Sequence, residues 1–74
     1  MPTRTLRLIY PPSLLRRPIL NQLILSYELT VNIYRAQITL EEGWLEVEVL
    51  GEDQVIENAI SWLEKAGIEV VPIE

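Results

Sequence analysis

The chain offers few residues that can do chemistry. It has no His and no Cys, which removes thiolate metal sites, iron–sulfur ligation and every His- or Cys-based catalytic arrangement. No metal site and no cofactor is expected. What remains is an amide in an unusual place. Asn32 sits in "LTVNIYRAQITL", Leu29 to Leu40, among Val, Ile, Tyr and Thr that favour strands, whereas Asn does not. The apolar alternation of that stretch also changes phase. Val31 and Ile33 share one parity; Ala36, Ile38 and Leu40 share the other. If Val31 and Ile33 face a core, Asn32 and Tyr34 face away from it. The phase change then requires a β-bulge near Tyr34 and Arg35, after which Ala36, Ile38 and Leu40 face the core. Such a bulge either re-aims side chains beside a site or bends a long hairpin to follow sheet twist. Arg16 and Arg17 lie close to a helix start and could touch an anion there; solvation is the ordinary state of such a pair.

The elements that must position these residues are readable from periodicity. Thr3 to Tyr10 alternates, with Leu6, Leu8 and Tyr10 on one face and Thr5, Arg7 and Ile9 on the other, until Pro11 and Pro12 stop the strand. Pro18 suits a first helical turn. Ile19, Leu20, Leu23, Ile24 and Tyr27 follow at helical spacing, which predicts a helix over about Pro18 to Tyr27, with Leu25 off its stripe. Leu29 to Leu40 is the second strand. "LEEGWL" turns the chain, with Gly43 available for positive φ, and Trp44 to Leu50 alternates cleanly as the third strand. Glu52 or Asp53 can cap a second helix. Val55, Ile56, Ala59, Ile60, Trp62 and Leu63 form its apolar stripe, and Gly67 is placed to end it in the left-handed conformation. Ile68 to Ile73 is a last strand, with Pro72 marking an edge or an end.

Strand, helix, strand, strand, helix, strand is the order of a ferredoxin-like βαββαβ sandwich. The fold class is α+β: a four-stranded antiparallel sheet with two helices on one face. Seventy-four residues make one domain, residues 1–74. A core that small is marginal alone, and with no disulfide or metal the remaining staple is oligomerisation; a homodimer is expected. Leu6, Leu8, Leu45, Val47, Val49, Ile68 and Val70 should face the helices. Ile9, Trp44, Leu50, Val71 and Ile73 should face outward. Those outward residues are either a partner patch or singly exposed apolar side chains. Trp44, Leu50 and Val71 are its candidate interface residues.

The net charge of −5 argues against a nucleic-acid partner. Five of the six basic residues precede residue 40, and all but one of the acids follow it. No apolar run is long enough to span a membrane, and "MPTRTLRLIYPP" lacks the features of a secretory signal. No membrane insertion and a cytoplasmic location are the expectation.

Three stretches carry a resemblance: "PILNQL" at Pro18 to Leu23, "VNIYRAQI" at Val31 to Ile38, and "AISWLEKAGIEV" at Ala59 to Val70. Together, in this order, they resemble the NIL domain. That family implies a ferredoxin-like, amino-acid-binding regulatory module of ACT type, found at the C-terminus of the ATPase subunit of methionine ABC importers. It also occurs fused to ferredoxin modules and as small standalone proteins. The resemblance implies L-methionine or a related amino acid as ligand, and Asn32, just before the "I-x-x-A-Q" run, as the residue that holds it. Ile33, Tyr34, Ala36 and Gln37 would supply neighbouring walls or backbone groups. An amide has donors and an acceptor, so it can serve either end of a zwitterion. A protein-interaction module without a small ligand is the alternative, with a protein partner on the outward face. An enzyme is not expected. Acylphosphatases share the topology and pair a loop Arg with a strand-two Asn, which Arg16, Arg17 and Asn32 echo, but "PPSLLRRP" has no Gly-rich phosphate cradle.

Overall fold

A computed structural model describes residues 2–73. The elements are β1 (Thr3–Tyr10), α1 (Ile19–Ser26), β2 (Thr30–Ile38), β3 (Gly43–Leu50), α2 (Asp53–Ala66) and β4 (Glu69–Pro72). The four strands form one antiparallel sheet in the order β2-β3-β1-β4. This is the ferredoxin-like α+β arrangement. β2 and β4 are therefore the edges, and the central pair β1 and β3 runs in register from Thr3 opposite Leu50 to Tyr10 opposite Gly43.

Period-two patterning puts Leu6, Leu8, Tyr10, Leu45, Val47 and Val49 on the helix side of the sheet, where all six are buried. Ile19 and Leu23 from α1, and Ile56, Ala59 and Leu63 from α2, close over them. Ile68 is buried as well, and Val70 is half-buried. Gly67 ends α2 at φ 106, and its N–H donates to the Glu64 carbonyl. Only glycine takes that conformation cheaply.

Between β1 and α1 lies a 3₁₀ turn, Pro12–Leu14, whose Leu14 is buried. Three local expectations are corrected. Pro18 stands at the N-cap of α1, just outside the helix. Glu52 is the N-cap residue of α2, but its side chain makes no capping hydrogen bond; Asp53 contributes through its charge in the first turn. Gly43 has no positive φ. It is the first residue of β3, and a Cβ there would stand 2.5 Å from Leu15 Cδ2. The hairpin tip is organised by Thr39 instead: its Oγ1 accepts from the N–H groups of Glu41 and Glu42 at 3.2 and 3.1 Å.

Candidate functional site

The phase change in β2 is a bulge. Ile33 pairs with Val47 and Arg35 with Glu46, leaving Tyr34 without an opposite residue. Before it, Asn32 lies opposite Glu48; after it, Gln37 lies opposite Trp44. The bulge thus returns Arg35 and Gln37 to the open face of the sheet, beside Asn32. Ile33, Ala36 and Ile38 take the helix side, opposite Val47, Leu45 and Gly43.

The structure therefore divides the five ligand candidates between two faces. Asn32, Tyr34 and Gln37 belong to the open face; Ile33 and Ala36 belong to the helix side. All five are exposed, because β2 is an edge strand and the eight-residue α1 does not reach over it. Ile33 is 53% and Ile38 58% exposed, although both point toward the helix layer. Leu40, expected to face the core, is 89% exposed at the hairpin tip. On α1, Leu25 is exposed as its position off the stripe predicts, whereas Ile24 is also exposed, at 41%, despite lying on it.

Trp44, Leu50 and Val71 all stand on the open face and are half-buried. They do not form one apolar patch, because a charged network interrupts them. Glu46, at the centre of the face, is only 9% exposed. Arg7 reaches it from β1 and Arg35 from β2. Arg7 Nε donates to Oε2 at 3.1 Å and Arg7 Nη2 to the same oxygen; Arg35 Nε donates to Oε1 at 2.8 Å and Arg35 Nη2 to Oε2 at 3.1 Å. Both guanidiniums also lie over the Trp44 ring, at 5.1 and 5.7 Å from its centroid, within cation–π range. Burial of a carboxylate is tolerable here because two cations and four N–H donors satisfy it.

The Arg35 and Arg7 hydrogen bonds hold the Glu46 carboxyl at about 2, against an ordinary 4.5. A carboxylate whose folded pKa is depressed stabilises the fold fully above its unfolded pKa and loses that contribution as pH falls toward the folded one. Glu46→Gln should accordingly melt at a lower temperature than the parent at pH 7. The gap should close as pH is lowered from about 5 to about 2, as calorimetry at a series of pH values would record. A gap that stays constant would remove Glu46 as the acid-sensitive group.

Glu48 is differently placed. Its neighbours are neutral: Asn32 Nδ2 lies 3.5 Å from Oε1, the outer limit of a hydrogen bond. Hydrogen bonding to Glu48, followed by partial burial and the Glu48 charge, raises the Tyr34 phenol above its ordinary value. Among the described residues Glu48 joins no ion pair. The open face along β2 and β3 is thus a row of polar groups, Asn32, Tyr34, Glu48, Arg35 and Glu46, ending on Trp44. Sequence reasoning identified Asn32 and the bulge but not Arg7, Arg35, Glu46 or Glu48. The available signal was the alternation of Glu46 and Glu48 with buried valines, facing a strand that carries Arg7.

Among the described residues there is no cluster of acidic side chains that could hold a metal ion. Among the same residues no helix is long and apolar enough to cross a membrane.

The fold is shared with a solved structure, and the sequence is similar to known proteins. An uncharacterized protein of Synechocystis is 35% identical over 69 residues, covering 90% of this chain and 71% of its own length. The L-aspartate semialdehyde sulfurtransferase iron-sulfur subunit of Methanocaldococcus jannaschii is 30% identical over 53 residues, 72% of this chain but 40% of that protein. Among solved structures, the C-terminal domain of an ABC transporter ATP-binding protein from Enterococcus faecalis superposes with a TM-score of 0.83 at 28% identity, covering 95% of this chain and 82% of that one. Residues 4–71 match the NIL domain, and the chain belongs to that family.

Proposed function

We propose that this chain is a regulatory module that binds a small amino acid, L-methionine or a close relative, on the open face of β2, and that it works as a homodimer. It would act as a single domain on the cytoplasmic side of the membrane, and it carries out no catalysis of its own. The observation that carries the reading is Asn32. Its amide stands exposed on an edge strand, immediately before a bulge, and among the described residues is engaged only through a 3.5 Å contact to Glu48. An amide so lightly held is available to a ligand. The likeness to the C-terminal domain of a transporter ATP-binding protein supports the regulatory part. The sulfurtransferase iron-sulfur relative does not carry over as an electron-transfer role, because this chain contains no Cys to ligate a cluster.

Titration calorimetry with L-methionine tests the reading. Binding heat should appear by millimolar ligand, with a rise in melting temperature from mass action. Asn32→Ala should weaken binding by about tenfold, the value of a hydrogen bond to a charged group. Absence of both heat and a melting shift at millimolar ligand would rule the reading out.

A second reading has its own support. The exposed Ile33 and Ile38 on the helix side of β2, with Leu40 at the hairpin tip, fit a module that docks a protein and needs no small ligand. It gains if self-association is found while amino acids leave the protein unaffected.

A further inference from the structure

The open face carries two uncompensated charges of opposite sign side by side. Arg7 and Arg35 share one carboxylate, Glu46, which leaves one positive charge over. Each guanidinium has five N–H groups, and Glu46 takes two from each. Three donors on each therefore remain. Two residues along β3 stands Glu48, whose hydrogen-bond partners, Asn32 and Tyr34, are neutral and which joins no ion pair among the described residues. Glu46 and Glu48 are about 6.6 Å apart along the strand, at about 3.3 Å per residue. Arg35, opposite Glu46, is 65% exposed along its side chain. Among the described residues the remaining acid of this face is Glu69, which stands on β4 opposite Ile9 of β1, two strands away from β3.

We propose that Glu48 and Arg35 read the two ends of a zwitterionic α-amino acid, Glu48 taking the ammonium group and Arg35 the carboxylate, with the Asn32 amide bridging between them. The proposal rests on the amino-acid reading above and assigns its polarity. The dimensions agree. An α-amino acid separates its two charges by two bonds of about 1.5 Å. With a charge-assisted hydrogen bond of about 2.8 Å at each end the reach is about 8 Å, the separation of groups set two residues apart on neighbouring strands that lie about 4.8 Å from each other. The site selects against molecules with one charge only, because either Glu48 or the surplus guanidinium charge is then left without its counterpart.

The test compares L-methionine with N-acetyl-L-methionine, which lacks the ammonium, and L-methioninamide, which lacks the carboxylate. Each is titrated into the parent chain, Glu48→Gln and Arg35→Gln, with far-UV circular dichroism confirming the fold. The parent should prefer L-methionine over both analogues by about tenfold or more. Glu48→Gln should lose that factor for L-methionine but not for the N-acetyl compound; Arg35→Gln should lose it for L-methionine but not for the amide. If L-methionine binds the parent and both variants equally, this assignment is wrong while the amino-acid reading stands. If L-methionine does not bind the parent at all, both fall together. Should Arg35→Gln fail to fold, the Glu48→Gln comparison and the analogue preference of the parent decide the matter alone.

Discussion

Ile56→Ala should lower the melting temperature by about 10 °C or more. Ile56 is fully buried, on the face of α2 that, with Ala59 and Leu63, closes over the buried side chains of the sheet. Truncating a buried Ile to Ala costs about 2–5 kcal/mol, the lost transfer energy plus the cavity left behind. A chain of this length has a total stability of only about 4–11 kcal/mol at the usual value per residue. In domains of this size each kcal/mol moves the midpoint by about 4–8 °C. Leu40→Ala is the matched control: the same class of change at a side chain 89% exposed should shift stability by no more than about 0.5 kcal/mol. Thermal melts followed by circular dichroism compare the two. An Ile56→Ala variant that melts within a degree or two of the parent would mean that α2 does not close the core as described. Ligand binding should raise the midpoint of the variant as it does that of the parent, because Ile56 lies on the opposite side of the sheet from Asn32 and Glu48.

What could be read from the sequence, and what could not, divides along a physical line. Local periodicity fixes which way a side chain points relative to its own element. It therefore gave the faces of β1, β3 and α2, the end of α2 at Gly67, and the bulge at Tyr34, where one inserted residue inverts the parity of everything after it. It is silent on which strands are neighbours. Arg7 and Glu46 are 39 residues apart in the chain, and only the β1–β3 register brings them together. Without that register, Glu46 is one more residue of an alternating strand and Trp44 reads as part of an apolar patch. The exposure of Ile33 and Ile38 was hidden for a related reason. Their parity correctly directs them to the helix side, but a two-helix layer, one helix only eight residues long, does not cover the outer edge of a four-stranded sheet. Gly43 was legible as a glycine position but not for its cause. Leu15, 28 positions earlier in the chain, occupies the space a side chain would need.

That uncovered edge leads to the second large effect. The two sheet edges differ in how they resist pairing. β4 is four residues long and ends in Pro72, a short strand closed by a residue that cannot donate. β2 is nine residues long, with neither Pro nor Lys, and its free edge presents main-chain donors and acceptors above the exposed Ile33 and Ile38. A second copy laid antiparallel along β2 would extend the sheet through a two-fold axis and cover those side chains. It would also flank Asn32 and Glu48, so the seam and the proposed ligand site would share one strand. In a two-fold interface every substitution counts twice. Ile38 is 58% exposed, so its burial in such a dimer is worth about half of the 1.5–3 kcal/mol for a whole side chain, about 1 kcal/mol per copy. Ile38→Lys should then weaken self-association by about 2 kcal/mol, or about thirtyfold, before charge repulsion across the axis is added. The monomer fold should be unaffected, since the side chain is already in water. Sedimentation equilibrium over a range of concentrations measures this. The parent should populate a dimer whose dissociation shifts to about thirtyfold higher concentration in Ile38→Lys, while Trp44→Glu, on the other face and away from the edge, changes it far less. If Trp44→Glu dissolves the dimer and Ile38→Lys does not, the copies meet through the open face, and Arg7, Glu46 and Arg35 lie inside the interface rather than beside a ligand.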